Sequence, residues 1–312
     1  MSVNRSKQGG KLYMIMIIAA IAAVLLLAAF PKIPVQDAGM PGSIAFSEAV
    51  FLIPVLVILI MDRFEPLRGM KLRPIGMPTI LWTLLLTGLL LPIMVLMNLL
   101  TQYLVPNMVA AELQSATAMP LWVSLVYFAV LPPVVEEYIF RGVLFQYFRP
   151  TGLWKTALIT GLMFGLAHLN LNQFLYAFVI GIFWVMLDEA TGSVFSSMLS
   201  HSIVNGVNVC LSYLLAGDLP ENLVGAAQQA ETDVPGMVFM IIAAVVAGAC
   251  VILSVIVIRH LARIRGNEQK FRDALRGKDR VLRGKDARTF SVPLLLGLVI
   301  PVVFIGIETA LM

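Results

Sequence analysis

Charge is scarce in this chain. Only 13% of its 312 residues are Asp, Glu, Lys or Arg, 59% are hydrophobic, and the mean hydropathy is +0.91. Soluble domains carry about 25% charged and about 45–50% apolar residues, so a water-soluble globule is excluded. There are two cysteines, Cys210 and Cys250, each inside an apolar run. That excludes a disulfide framework and fits small packing residues. Of the three histidines, only His260 lies among loop charges, and no role is assigned to it. Bases are missing altogether from 216–235, which carries Asp218, Glu221, Glu231 and Asp233. Internal repeats and low-complexity tracts are absent as well.

Apolar runs fill the space that charge leaves. A membrane-spanning helix needs about 20 apolar residues, and candidates lie at 12–30, 44–61, 79–99, 119–147, 153–169, 171–187, 193–215, 236–258 and 290–312. The fifth and sixth are joined so tightly at Asn170 that one is expected to be partly re-entrant. The expectation is an all-α, polytopic membrane protein with eight or nine transmembrane helices. The run after Lys11 has 19 apolar residues. It is longer than the about 7–15 residues of a signal-peptide core, so it is read as a span. Cytoplasmic loops concentrate Lys and Arg. With the N-terminus cytoplasmic, all of the 22 bases except Lys32 fall inside. This distribution, rather than nucleic acid, explains the pI near 9.1. The basic loop 259–289 is either an ordinary cytoplasmic loop or a helix lying on anionic lipid.

Against this background LPPVVEEYIFRGVLF, at 131–145, is anomalous. Ionised groups at bilayer depth cost from about 3 kcal/mol upward, so they should be paired, functional or both. Glu137 and Arg141 are four apart and share a helix face, while Glu136 points about 100° away. Phe164 and His168 repeat the spacing, as do His201 and Asn205. Pro132 and Pro133 should kink the fourth helix. With a turn near Pro150, Glu136 and His168 differ by about 6 Å in depth, a gap that the kink can close. The six groups then converge in the inner half of the bilayer. Each also has a bland reading: Glu137–Arg141 as a packing ion pair, each histidine as an interhelical hydrogen bonder. Glu48 and Glu308 are read as structural, and Asn172 ranks low because it lies near the outer end.

The three motifs Glu-Glu-x-x-x-Arg, Phe-x-x-x-His and His-x-x-x-Asn, in that order on three helices, resemble the CPBP family. These are the CAAX-prenyl-protease and bacteriocin-processing (Abi) intramembrane endopeptidases, including the type II CAAX prenyl endopeptidases. The resemblance makes 118–215 the catalytic core, between N-terminal helices in 1–117 and C-terminal helices in 216–312. It implies a buried intramembrane active site and a membrane-associated protein or peptide substrate. It also implies that Glu136 is the general base, with His168 holding the same water. His201 and Asn205 would donate to the carbonyl oxygen, and Glu137 and Arg141 would orient the site or meet the substrate backbone. No cofactor is expected, although a zinc ion held by Glu136, His168 and His201 is chemically possible.

Other intramembrane proteases lack support. His-Glu-x-x-His, Gly-x-Gly-Asp and the rhomboid Gly-x-Ser-Gly are all missing. Two rival classes stay open at this stage. One is a proton- or cation-coupled transporter using the same carboxylates and histidines. The other is a non-catalytic immunity or scaffold protein on the same fold. Transporters built from inverted repeats pair broken helices in two halves, and no such repeat is found.

Overall fold

The computed structural model describes residues 5–30, 39–61, 70–107, 113–216, 236–278 and 290–311. Lys32, Arg63, Arg68 and nearly all of the acidic stretch 216–235 lie outside them, as do the last bases of the 259–289 loop. The described residues form helices and no strand. In chain order these are α1 (Arg5–Ala29), α2 (Gly39–Met61), α3 (Met77–Gln102), α4 (Leu121–Thr151), α5 (Leu153–Ala167), α6 (Leu171–Thr191), α7 (Phe195–Ala216), α8 (Gly236–Ile264), α9 (Glu268–Leu275) and α10 (Val292–Leu311). Eight of them are long and apolar enough to cross a membrane. The protein is an all-α polytopic membrane protein, as expected. The segment expected at 153–169 is the exception, because α5 has 15 residues. At 1.5 Å per residue it reaches about 22 Å, short of a hydrocarbon core about 30 Å thick.

The helix α5 ends where the chain reverses into α6. Leu169 adopts φ 55°, and Asn170 caps α6 by accepting from the backbone N–H of Gln173 at 2.8 Å. The two helices pack tightly because Gly165 lies directly beneath the Phe174 carbonyl. A Cβ there would sit 2.7 Å from that oxygen. Close backbone approach through small residues is how apolar helices associate without a hydrophobic driving force.

One end of the bundle is tied together by polar contacts. Glu189, at the end of α6, accepts from Arg149 at 2.8 Å and also pairs with Lys71. Ser193 donates to the Arg73 carbonyl, and the Val194 N–H donates to the Lys71 carbonyl at 2.9 Å. Burial holds the Lys71 ammonium below its usual pKa range, opposed by the neighbouring Glu189 carboxylate. The C-terminal helices join the same end. Arg265 Nε donates to the Thr191 carbonyl at 3.0 Å, and Asn267 Nδ2 to the Ala190 carbonyl at 3.1 Å. Within the loop expected at 259–289, α8 continues to Ile264. Next, α9 buries Phe271 and Ala274, and Trp154 donates to the Leu275 carbonyl at 3.2 Å. These two residues of α9 therefore cover protein rather than lipid.

Candidate active site

The site is organised by the irregular course of α4. Its middle is a seven-residue α-helical turn, Leu131–Glu137, between two π-helical stretches, Leu125–Val130 and Tyr138–Leu144. Pro132 has no N–H for the Phe128 carbonyl four residues earlier, which is left without its helical donor. Asn205 of α7 supplies the replacement, donating from Nδ2 to that oxygen at 2.9 Å. Buried carbonyls in a membrane must find such partners. The asparagine of the third motif thus has a structural duty, and one amide hydrogen remains for other work.

The adjacent glutamates have opposite surroundings. Glu137 has no exposed side-chain surface; one carboxylate oxygen lies 3.0 Å from Arg141 and 3.0 Å from His201 Nδ1. Arg141 lies over the Phe164 ring at 4.2 Å and near the Trp184 ring at 5.2 Å. A desolvated cation–π contact is worth about 2 kcal/mol. Glu136 keeps 22% of its side-chain surface and lies 3.7 Å from His201 Nε2. One carboxylate is locked into the protein, and the other faces open space.

The histidines are held by their Nδ1 atoms. His168 Nδ1 is 2.9 Å from the Phe164 carbonyl, an acceptor, so this nitrogen carries the hydrogen and Nε2 keeps its lone pair. His201 stacks on Trp184, with ring centroids 4.4 Å apart, and directs Nδ1 at Glu137. Its Nε2 can donate only when both ring nitrogens are protonated, a state for which the Glu137 carboxylate is the counter-charge.

Glu136, His168, His201 and Asn205 line one cavity of about 840 Å³. Glu137 and Arg141 lie behind it. From a floor of Trp184 and His201 the cavity runs past Glu136 to Leu27, Met40, His168 and Phe304. Those residues belong to the ends of the helices away from Lys71 and Arg149. The cavity thus extends toward the helix ends opposite the basic end, while Trp184 and His201 at its floor lie in the halves of α6 and α7 nearer that end. The count from Pro150 treated α4 and α5 as a simple hairpin. Residues of eight helices, α1 to α7 and α10, line this space.

Glu48 departs from its expected place. From sequence it reads as structural near a helix end, yet it sits in the third turn of α2, buried, and lines the same cavity. The signal for it was available, since any ionisable residue inside a span is a functional candidate. Glu308 also lines the cavity, nearer the end of α10. Asn172 is structural, donating to Asn98 at 2.6 Å and Thr101 at 3.2 Å. His260 lies against Trp82, outside the site. Among the described residues, no three or more His, Cys, Asp or Glu are grouped so as to hold a metal ion.

No curated protein and no solved structure matches the chain. The resemblance read from the three motifs is borne out for the segment that carries all six residues: 118–207 matches the family described as Rce1-like, Type II CAAX prenyl endopeptidase Rce1-like.

Proposed function

We propose that the chain is an intramembrane endopeptidase that hydrolyses a peptide bond of a membrane-associated protein or peptide, with Glu136 as general base. The observation that carries this reading is the division of labour between neighbours. Glu137 is wholly buried against Arg141 and His201, while Glu136 faces the cavity beside His201. In the proposed reaction Glu136 takes a proton from a water molecule whose oxygen attacks the substrate carbonyl carbon. The lone pair of His168 Nε2 accepts that water's other hydrogen. Negative charge then develops on the carbonyl oxygen. The free amide hydrogen of Asn205 and His201 Nε2, when protonated, are donors for it. The C–N bond breaks as Glu136 returns its proton to the leaving amine. Glu137 orients His201, and Arg141 holds Glu137. No step uses a metal.

The same reading places the protein in the cell membrane with its N-terminus cytoplasmic, because all bases except Lys32 then face inward. The decisive experiment is cleavage of a membrane peptide by purified protein in lipid nanodiscs. Glu136→Gln is expected to lower the rate by about 10²–10⁴-fold, the range of general-base catalysis, with unchanged thermal stability. Wild-type activity is expected to survive prolonged treatment with a strong chelator. Wild-type rates from Glu136→Gln sink the assignment, and activity lost to the chelator and restored by zinc sinks the metal-free chemistry.

A further inference from the structure

The cavity has more acid than the proposed hydrolysis uses. Glu48 is only 8% exposed, lines the cavity, and its Oε2 has no hydrogen-bond partner. Glu136 has His201 beside it, and Glu137 has Arg141 and His201. Glu48 has no such cation. Among the described residues lining the cavity there are three carboxylates, Glu48, Glu136 and Glu308, and no Lys or Arg. The nearby Arg141 is engaged by Glu137 and two aromatic rings.

A buried carboxylate without a partner is costly, and a cation bound beside it offsets that cost. Glu48 reaches the cavity from α2, whereas the catalytic set comes from α4, α5 and α7. Because α2 packs against the Leu131–Glu137 segment of α4, a peptide group held by Glu48 lies near the bond facing Glu136. A volume of about 840 Å³ holds several residues.

We propose that Glu48 forms a subsite for a positively charged group, an ammonium or guanidinium, on the peptide that occupies the cavity. This rests on the reading that the cavity takes a peptide substrate. The charged group of the peptide replaces the missing cation and fixes which bond lies against Glu136. Glu48 acts here as a specificity residue rather than in the bond-breaking step.

The test separates binding from cleavage. Glu136→Gln protein in phosphatidylcholine nanodiscs is titrated with labelled apolar peptides that are identical except for one residue. That residue is lysine, norleucine or glutamate, walked through each position, and dissociation constants are read by fluorescence anisotropy. At one position lysine is expected to bind at least about tenfold tighter than norleucine, with glutamate weakest. Adding Glu48→Gln should bring the lysine-to-norleucine ratio near one. Equal binding of lysine and norleucine at every position, weak or strong, overturns the subsite, and so does a preference that survives Glu48→Gln. A lysine preference that disappears on adding zinc, with zinc bound at Glu48, assigns the site to a free cation and also overturns it. Wild-type protein is then given the same peptides. A lysine preference in binding with no cleavage of any peptide refutes the protease reading and leaves the subsite standing.

Discussion

The two ends of this bundle are built differently. At the basic end, Lys71, Arg149, Glu189, Ser193, Arg265 and Asn267 join five segments through ion pairs and hydrogen bonds to backbone carbonyls. Toward the other end the helices enclose a cavity lined by carboxylates, histidines and an asparagine. Both ends bury polar groups, but those named at the first pair with one another or with backbone carbonyls. Residues such as Glu48 Oε2 remain open in the second. The difference teaches where to look for function in an apolar protein. Polar groups that satisfy one another hold structure, and polar groups left open toward a space await a ligand.

The largest contrast expected between the ends is one of access. With Cys210 and Cys250 replaced, Asn208→Cys in the cavity should react with an impermeant thiol reagent added outside intact cells. Arg276→Cys should react only after lysis. Labelling in the reverse pattern would put the cavity on the cytoplasmic side and undo the assigned orientation.

Next in size is the cost of unpairing Arg141. Glu137→Ala leaves a buried guanidinium without its carboxylate, which typically costs about 3–5 kcal/mol. A large fall in folded yield and melting temperature is expected. Adding Arg141→Met should recover much of the stability but not the peptide cleavage, because His201 has still lost the group that orients it. Full stability in Glu137→Ala would show that the pair is dispensable.

The smallest effect belongs to the basic end. Lys71→Met leaves Glu189 its contact with Arg149, so the loss should be about 1–3 kcal/mol, the worth of a hydrogen bond to a charged group. Cleavage per folded molecule should be unchanged, because Lys71 is remote from the cavity. A specific loss of catalysis with intact melting would mean that the two ends are coupled.

Much of this was readable in the chain itself. The apolar runs specified the helices because every backbone group in a membrane must be satisfied within its own segment. Even so, α1 starts at Arg5 and α8 continues to Ile264, since a helix does not stop where hydrophobicity does. The i, i+4 pairs placed Glu137 with Arg141 correctly, because that spacing is local to one helix. What was missed depended on other helices. The duty of Asn205 follows from Pro132, 73 positions away in sequence, and no periodicity connects them.

The sequence by itself determined an all-α membrane protein, the asymmetric charge of its two sides and the six residues in three motifs. Composition and helical spacing suffice for these, because they concern one segment and its solvent. Only the tertiary structure decided that Glu137 serves His201 while Glu136 faces the cavity. It alone showed that the cavity extends toward the helix ends opposite the basic end and that Glu48 of α2 lines it. Those facts depend on how separate helices tilt and pack, and side-chain volumes summed over many partners set that packing.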